Sequence, residues 1–162
     1  MTQSQTIGRL PRGLYIAGCI VGLLAALAHT LASLQGPQPS SDKERLMLEA
    51  METVKIEELR KMGVERTMMD IADGFGWHWT WSVGACALAC LAVRFWRKGD
   101  SGLLRFSALA AAVFFAGALA LSLRFFFWVP TGFMAACVVC FGVAAATARP
   151  VSGPSVPGEI GQ

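Results

Sequence analysis

With 162 residues, of which 54% are hydrophobic and 15% charged, and a mean hydropathy of +0.51, the chain is too apolar and too thinly charged for a soluble domain of ordinary composition. The net charge of +3 is mildly basic, but the basic residues sit in short clusters beside apolar runs rather than along a face that could track phosphates, which argues against nucleic-acid binding. All five cysteines, Cys19, Cys86, Cys90, Cys137 and Cys140, fall inside apolar runs, so they do not describe a secreted disulfide framework.

Residues 14–34 carry no formal charge and one ionisable side chain, His29, over a length sufficient to span a bilayer as a helix. A cleaved signal peptide is the competing reading, since Arg9 and Arg12 precede the run and Ala26-Leu27-Ala28 resembles a cleavage site. The run is longer than the ~7 to 15 residues of a signal core, which favours a span.

After Gly36-Pro37-Gln38-Pro39, Ser40 or Ser41 can cap a helix with Asp42 and Glu44 in its first turn. The pattern predicts a helix over 42–62 ended by Gly63. Its apolar residues Met47, Leu48, Met51, Val54, Leu59 and Met62 recur mostly every three or four positions, between acidic and basic ones. Such an amphipathic helix can lie on the membrane, cover the mouth of the bundle or meet a partner; its acidic excess disfavours anionic headgroups, leaving a lid or a partner face. Gly74-Phe75-Gly76 then predicts a flexible or tightly turned lead into the second span.

Further apolar runs follow at about 77–96, 103–128 and 131–148, with Pro130 punctuating the last turn. In lipid each can satisfy its backbone only as a helix. The predicted fold is an all-α transmembrane four-helix bundle with an amphipathic extramembrane helix between spans one and two. It forms a single four-span domain over 1–149, whose outward helical segment is 41–73, followed by a Pro/Gly/Ser-rich disordered cytoplasmic tail, 150–162.

Arg9, Arg12, Arg94, Arg97, Lys98, Arg105 and Arg149 flank one side of a four-span topology, which the positive-inside rule assigns to the cytoplasm. The long first loop has six Lys/Arg against nine Asp/Glu, and the third turn only Arg124, so both face outward. Residues 35–76 are then periplasmic or extracellular. Trp77, Trp79, Trp81 and Trp128 gather at the predicted outer boundary, with Tyr15 and Trp96 at the inner one. Arg124, near a helix end, can snorkel outward beside Phe125 to Trp128 with a cation–π contact.

His29 lies about 8 Å from the outward end of span one at 1.5 Å per residue, and an ionisable group inside a span is a functional candidate. Asp70, Asp73, Phe75 and His78 fall near the same boundary, a set that suits a small ligand or lipid, a divalent metal or a proton relay. The plainer alternative is a histidine bonded to neighbouring backbone and aspartates serving as caps. Two histidines on different spans also permit axial haem ligation. Met47, Met51, Met62, Met68 and Met69 invite copper(I), although methionine is more often an adaptable packing surface. Small residues at Gly18, Gly22, Gly84 and Ala87 read as close helix packing.

Cys86 and Cys90, and the Cys137-Val138-Val139-Cys140 pair, fall at comparable depth. A Cys-x-x-Cys in a four-helix membrane protein resembles the vitamin K epoxide reductases, which implies a quinone-linked thiol–disulfide oxidoreductase using Cys137 and Cys140. Those enzymes relay electrons through cysteines in the outward loop, and this loop has none; the other reading of the thiols is small apolar packing groups.

Ala28-His29-Thr30-Leu31, the acidic helix containing Met51, and Arg66-Thr67-x-x-Asp70 followed by Gly74-Phe75-Gly76 resemble an uncharacterised group of small bacterial four-span membrane proteins. The resemblance covers about residues 10–95. That group's pattern has glycine where Ala28 stands, and no activity or cofactor comes with it. It implies that His29, Asp70 and the Gly74–Gly76 turn work together. The expected function is a ligand- or lipid-binding module or an accessory subunit, with an outward pocket near His29, the bilayer around it, and a membrane-protein partner or a second copy beside it.

Overall fold

The computed structural model describes residues 8–97, 100–125 and 128–148, and there the chain is all-α. The helices are α1 (Arg9–Gln35), α2 (Asp42–Thr53), α3 (Glu57–Lys61), α4 (Met68–Trp96), α5 (Ser101–Phe125) and α6 (Trp128–Thr147). Helices α1, α4, α5 and α6 are long and apolar enough to cross a membrane, since about 20 residues cover the ~30 Å hydrocarbon core. On α1, Ile20, Leu24, Leu27, Leu31 and Leu34 are all exposed. Their spacing of four, three, four and three makes one continuous apolar stripe, and Phe106, Leu109, Val113, Leu121 and Leu123 are likewise exposed on α5. Water would penalise such surface; hydrocarbon does not. The chain is therefore a multi-pass membrane protein built as a transmembrane four-helix bundle.

Two compact units divide the chain. Residues 1–23 and 85–162 make the first, which draws on α1, α4, α5 and α6. Its core is aromatic and small by turns. The Phe141 ring stacks on Phe115 with centroids 5.6 Å apart and takes the edge of Tyr15 at 5.5 Å. These rings fit because α1 presents glycine to them: a Cβ on Gly18 would stand 2.9–3.0 Å from Phe141, and one on Gly22 3.1 Å from Ala87 and 3.2 Å from Phe115. Helices that gain nothing from hydrophobic exclusion associate through such close approach. A polar tie adds direction. The Tyr15 hydroxyl donates to the Cys90 carbonyl at 3.0 Å and lies 2.9 Å from Ser107 Oγ, joining α1, α4 and α5.

Residues 24–84 make the second unit: the end of α1, helices α2 and α3, and the start of α4. Ala25, Ala26, Thr80 and Val83 are buried where α1 meets α4. The Ser41 hydroxyl caps α2 by accepting from Glu44 N, while the Glu44 carboxylate accepts from Ser40 N at 2.6 Å and Ser40 Oγ at 2.7 Å. Those bonds hold the Glu44 carboxyl below its usual value, the Ser40 hydroxyl contributing most. A second reciprocal cap opens α4: Asp70 N donates to Thr67 Oγ1 at 3.1 Å and Thr67 N donates to the Asp70 carboxylate at 2.9 Å.

Several sequence expectations shift in register. The helix expected over 42–62 is two helices, because Thr53, Val54 and Ile56 crowd β-branched side chains at one point and the chain there turns to a partner. Ile56 N donates to Arg66 O, Lys55 bridges Thr67, and the Lys55 ammonium pairs with Glu65, whose carboxyl is lowered by that contact. Gly63 does end the second piece, at φ +78, with Val64 N bonding Leu59 O and Gly63 N bonding Arg60 O. Gly74-Phe75-Gly76 is not a turn: α4 runs through it without interruption. Pro130 lies within the first turn of α6 rather than before it, where its missing N–H costs no helix bond. Tyr15, expected at a headgroup-level surface, is fully buried, while Trp81, Trp96 and Trp128 are exposed. The expected disordered tail, Lys98 and Arg149, and most of the proposed Arg124 aromatic contact lie outside the described residues.

Candidate functional site

The uninterrupted α4 decides which side chains reach His29. Gly76 and Thr80 are one turn apart and Trp79 is adjacent, so all three present toward α1. His29 Nδ1 is 2.7 Å from Thr80 Oγ1 and 3.4 Å from Ser33 Oγ, and its ring lies 5.0 Å from the Trp79 ring at a tilt of 44°. A Cβ at Gly76 would rest 3.5 Å from His29 Cε1, an ordinary contact.

Thr80 has one hydroxyl proton and two acceptors, the Gly76 carbonyl at 3.1 Å and His29 Nδ1. Given to Gly76, that proton leaves Nδ1–H donating into Thr80 and a lone pair on Nε2. Given to His29, it fixes a proton on Nε2 instead. In both arrangements Nδ1 is committed and the imidazole is held in place. Among the described residues no hydrogen bond reaches Nε2, which can therefore accept from or donate to a neutral polar group.

The other residues singled out by sequence are not joined to His29. The Asp70 carboxylate is occupied as the cap of α4. Phe75 is 71% exposed, and Asp73 and His78 are also exposed. Two residues along α4 from Thr80, His78 is rotated by about 200°, onto the opposite face from the one meeting His29. A bis-histidine haem site would need both imidazoles to face one point. Among the described residues no group of three or more His, Cys, Asp or Glu is placed to hold a metal ion. Helix α2, expected as a lid, has no buried residue, and its Leu46 and Met47 are exposed.

The thiols belong to the other unit. Cys19, Cys90 and Cys137 are buried, Cys86 and Cys140 half-buried, and all five are free. Cys137 Sγ donates to the Gly18 carbonyl at 3.7 Å, in the middle of α6, far from the helix N-terminus that activates thiols in redox motifs. Its sulfur would also stand 3.9 Å from a Cβ placed on Gly22.

Ser33 and Thr80 escaped the sequence reading, which took Trp79 only as a boundary aromatic and Gly76 only as part of a turn, although a helical register carried back from the second span through Gly76 would have pointed to Thr80. No protein-family model matches this chain, and neither curated proteins nor solved structures give a match.

Proposed function

We propose that this chain is a non-catalytic four-span protein of a bacterial inner membrane, binding a small amphipathic ligand or lipid at His29 as a binding module or accessory subunit. In this reading both termini are cytoplasmic and residues 35–76 periplasmic, supported by the arginines flanking one set of helix ends and the acidic excess of the long loop. The observation that carries it is the His29 anchor: one ring nitrogen is engaged by Thr80 at 2.7 Å, an indole lies beside the ring, and Nε2 is open to a ligand. A histidine needed only for packing would have no reason to interrupt an apolar span at a cost of this kind. Because the fixed ring can donate or accept, it suits a hydroxyl or carbonyl headgroup, with the acyl or isoprenoid part in the adjoining lipid.

Membership in the small bacterial four-span group is part of the same proposal. Its motif residues have local work: His29 in the anchor, Thr67 and Asp70 in the cap that starts α4, and Gly76 giving its carbonyl to Thr80. The test is purification in mild detergent and mass spectrometry of what remains bound. The wild type should carry a stoichiometric amphiphile that His29→Ala and Thr80→Val lose, while Cys137→Ser retains it. Equal content in wild type and His29→Ala would sink the proposal.

A further inference from the structure

The surroundings of His29 narrow the chemistry of the head that can sit there. Depth comes first: His29 stands about 9 Å along α1 from its Gln35 end, at 1.5 Å per residue. A charged phosphate head stays at headgroup level, whereas an uncharged head can follow its tail to this depth. Charge points the same way. Among the described residues the imidazole bonds only to the neutral hydroxyls of Thr80 and Ser33, and the Asp70 carboxylate is spent in the cap of α4. An ionised head would find no counter-charge bonded there. The flank is aromatic. Phe75 and Trp79 are i and i+4 on α4 and so share one side of it; the Trp79 ring lies 5.0 Å from that of His29, and Phe75 is 71% exposed. Such a wall favours a flat ring.

Thr80 adds the most specific constraint. When its hydroxyl donates to the Gly76 carbonyl at 3.1 Å, Nδ1–H donates to Thr80 and Nε2 is an acceptor; when it donates to Nδ1 at 2.7 Å, Nε2 carries the proton and is a donor. One hydroxyl rotation with the matching imidazole tautomer thus reverses the sense of Nε2 without moving a heavy atom. A ligand that exists both as donor and as acceptor can use both arrangements. A quinol hydroxyl donates to Nε2 and a quinone carbonyl accepts from Nε2–H, and the two forms share a flat ring, an isoprenoid tail and no charge. Resting on the reading of His29 as a ligand anchor, we propose that the ligand is an isoprenoid quinone, held at a ring oxygen by His29 Nε2 in either its oxidised or its reduced form, with its ring along Trp79 and Phe75. The chain holds the quinone and leaves its oxidation state unchanged.

The test is binding to the full chain in phosphatidylcholine nanodiscs, with a short-chain ubiquinone, its chemically reduced quinol and a ring-free isoprenoid alcohol as separate probes. Native mass spectrometry reads occupancy, and the infrared carbonyl band reads the bond to the quinone. The wild type should bind quinone and quinol and lower the stretch of one quinone carbonyl. His29→Ala should lose that band shift and bind both forms about three- to tenfold more weakly, the size of one net hydrogen bond, while Cys137→Ser and His78→Ala keep both. The alcohol should bind about threefold or more below the quinol for want of a ring. If His29→Ala does not fold, a photoreactive azidoquinone on the wild type should label peptides containing His29, Phe75 or Trp79. Labelling confined to other peptides, an alcohol bound as tightly as the quinol, or a His29-dependent amphiphile that quinone does not displace would overturn the quinone assignment and leave the anchor standing. Absence of any His29-dependent ligand would overturn both.

Discussion

Adding one methyl group at Gly18 should unsettle the first unit more than its size suggests. The new Cβ would meet three carbons of the Phe141 ring at 2.9–3.0 Å, where carbon pairs prefer about 3.5–4.0 Å. The ring has little freedom to retreat, being stacked on Phe115 at 5.6 Å and edged by Tyr15 at 5.5 Å. Overpacking of this kind costs about 1–3 kcal/mol, and the better helix propensity of alanine returns at most about 1 kcal/mol. The net expectation for Gly18→Ala is a loss of about 1–2 kcal/mol. Gly142→Ala is the matched control, because a Cβ there meets nothing within 4 Å. Reversible unfolding in mixed micelles, followed by near-ultraviolet circular dichroism, would compare the two. Phe141→Leu should relieve the strain, so that Gly18→Ala costs less on that background than in the wild type. A Gly18→Ala protein as stable as Gly142→Ala would refute the packing described.

Tyr15→Phe removes the bond to Cys90 and the contact with Ser107; it should cost about 0.5–1.5 kcal/mol in the same unfolding assay, and no change would mean that the tie is not formed. For the candidate site, a double-mutant cycle of His29→Ala and Thr80→Val should show a coupling of about 0.6 kcal/mol, up to ~1.7, whereas additive effects would separate the two side chains. Gly76→Ala and Gly74→Ala should be tolerated or slightly stabilising, since α4 is helical there and neither Cβ clashes; loss of folding in either would restore the turned conformation. Helix α2 should loosen in acid. The Glu44 carboxyl is lowered in the folded chain, so its contribution is complete above the ordinary carboxylate pKa and is lost as pH falls through the lower folded value. Amide exchange at the start of α2 should accelerate over that range and show no such step in Glu44→Gln.

Much of the architecture was legible because lipid imposes simple rules. Four apolar runs of spanning length can in lipid only be helices, and the serines before Asp42 and the glycine after Met62 carry local signals that need no tertiary context. The faces of the helices were not legible in the same way. A span that is apolar all round bears no stripe to tell core from lipid, so Tyr15 looked like an interfacial residue until Ser107 and Cys90 were placed around it. The break after Thr53 depends on pairing with Arg66 and Thr67, which no window of helical periodicity contains. At the candidate site His29 stood out by its charge type, but its partners Thr80, Trp79 and Gly76 depended on the helix continuing through Gly74, where glycine-rich sequence ordinarily argues for a turn. Asp70 had two readings, ligand and cap, and its carboxylate is used in the cap.

The proposed sidedness, with residues 35–76 periplasmic and the arginine-flanked helix ends cytoplasmic, can be tested directly. Single cysteines introduced by Glu52→Cys and Arg97→Cys, both at exposed positions, on a background whose native thiols are replaced, can be labelled in right-side-out and inverted vesicles with a membrane-impermeant maleimide. Labelling of the first from the periplasmic side alone and of the second from the cytoplasmic side alone is the predicted result; modification of both from the same side would contradict the four-crossing arrangement.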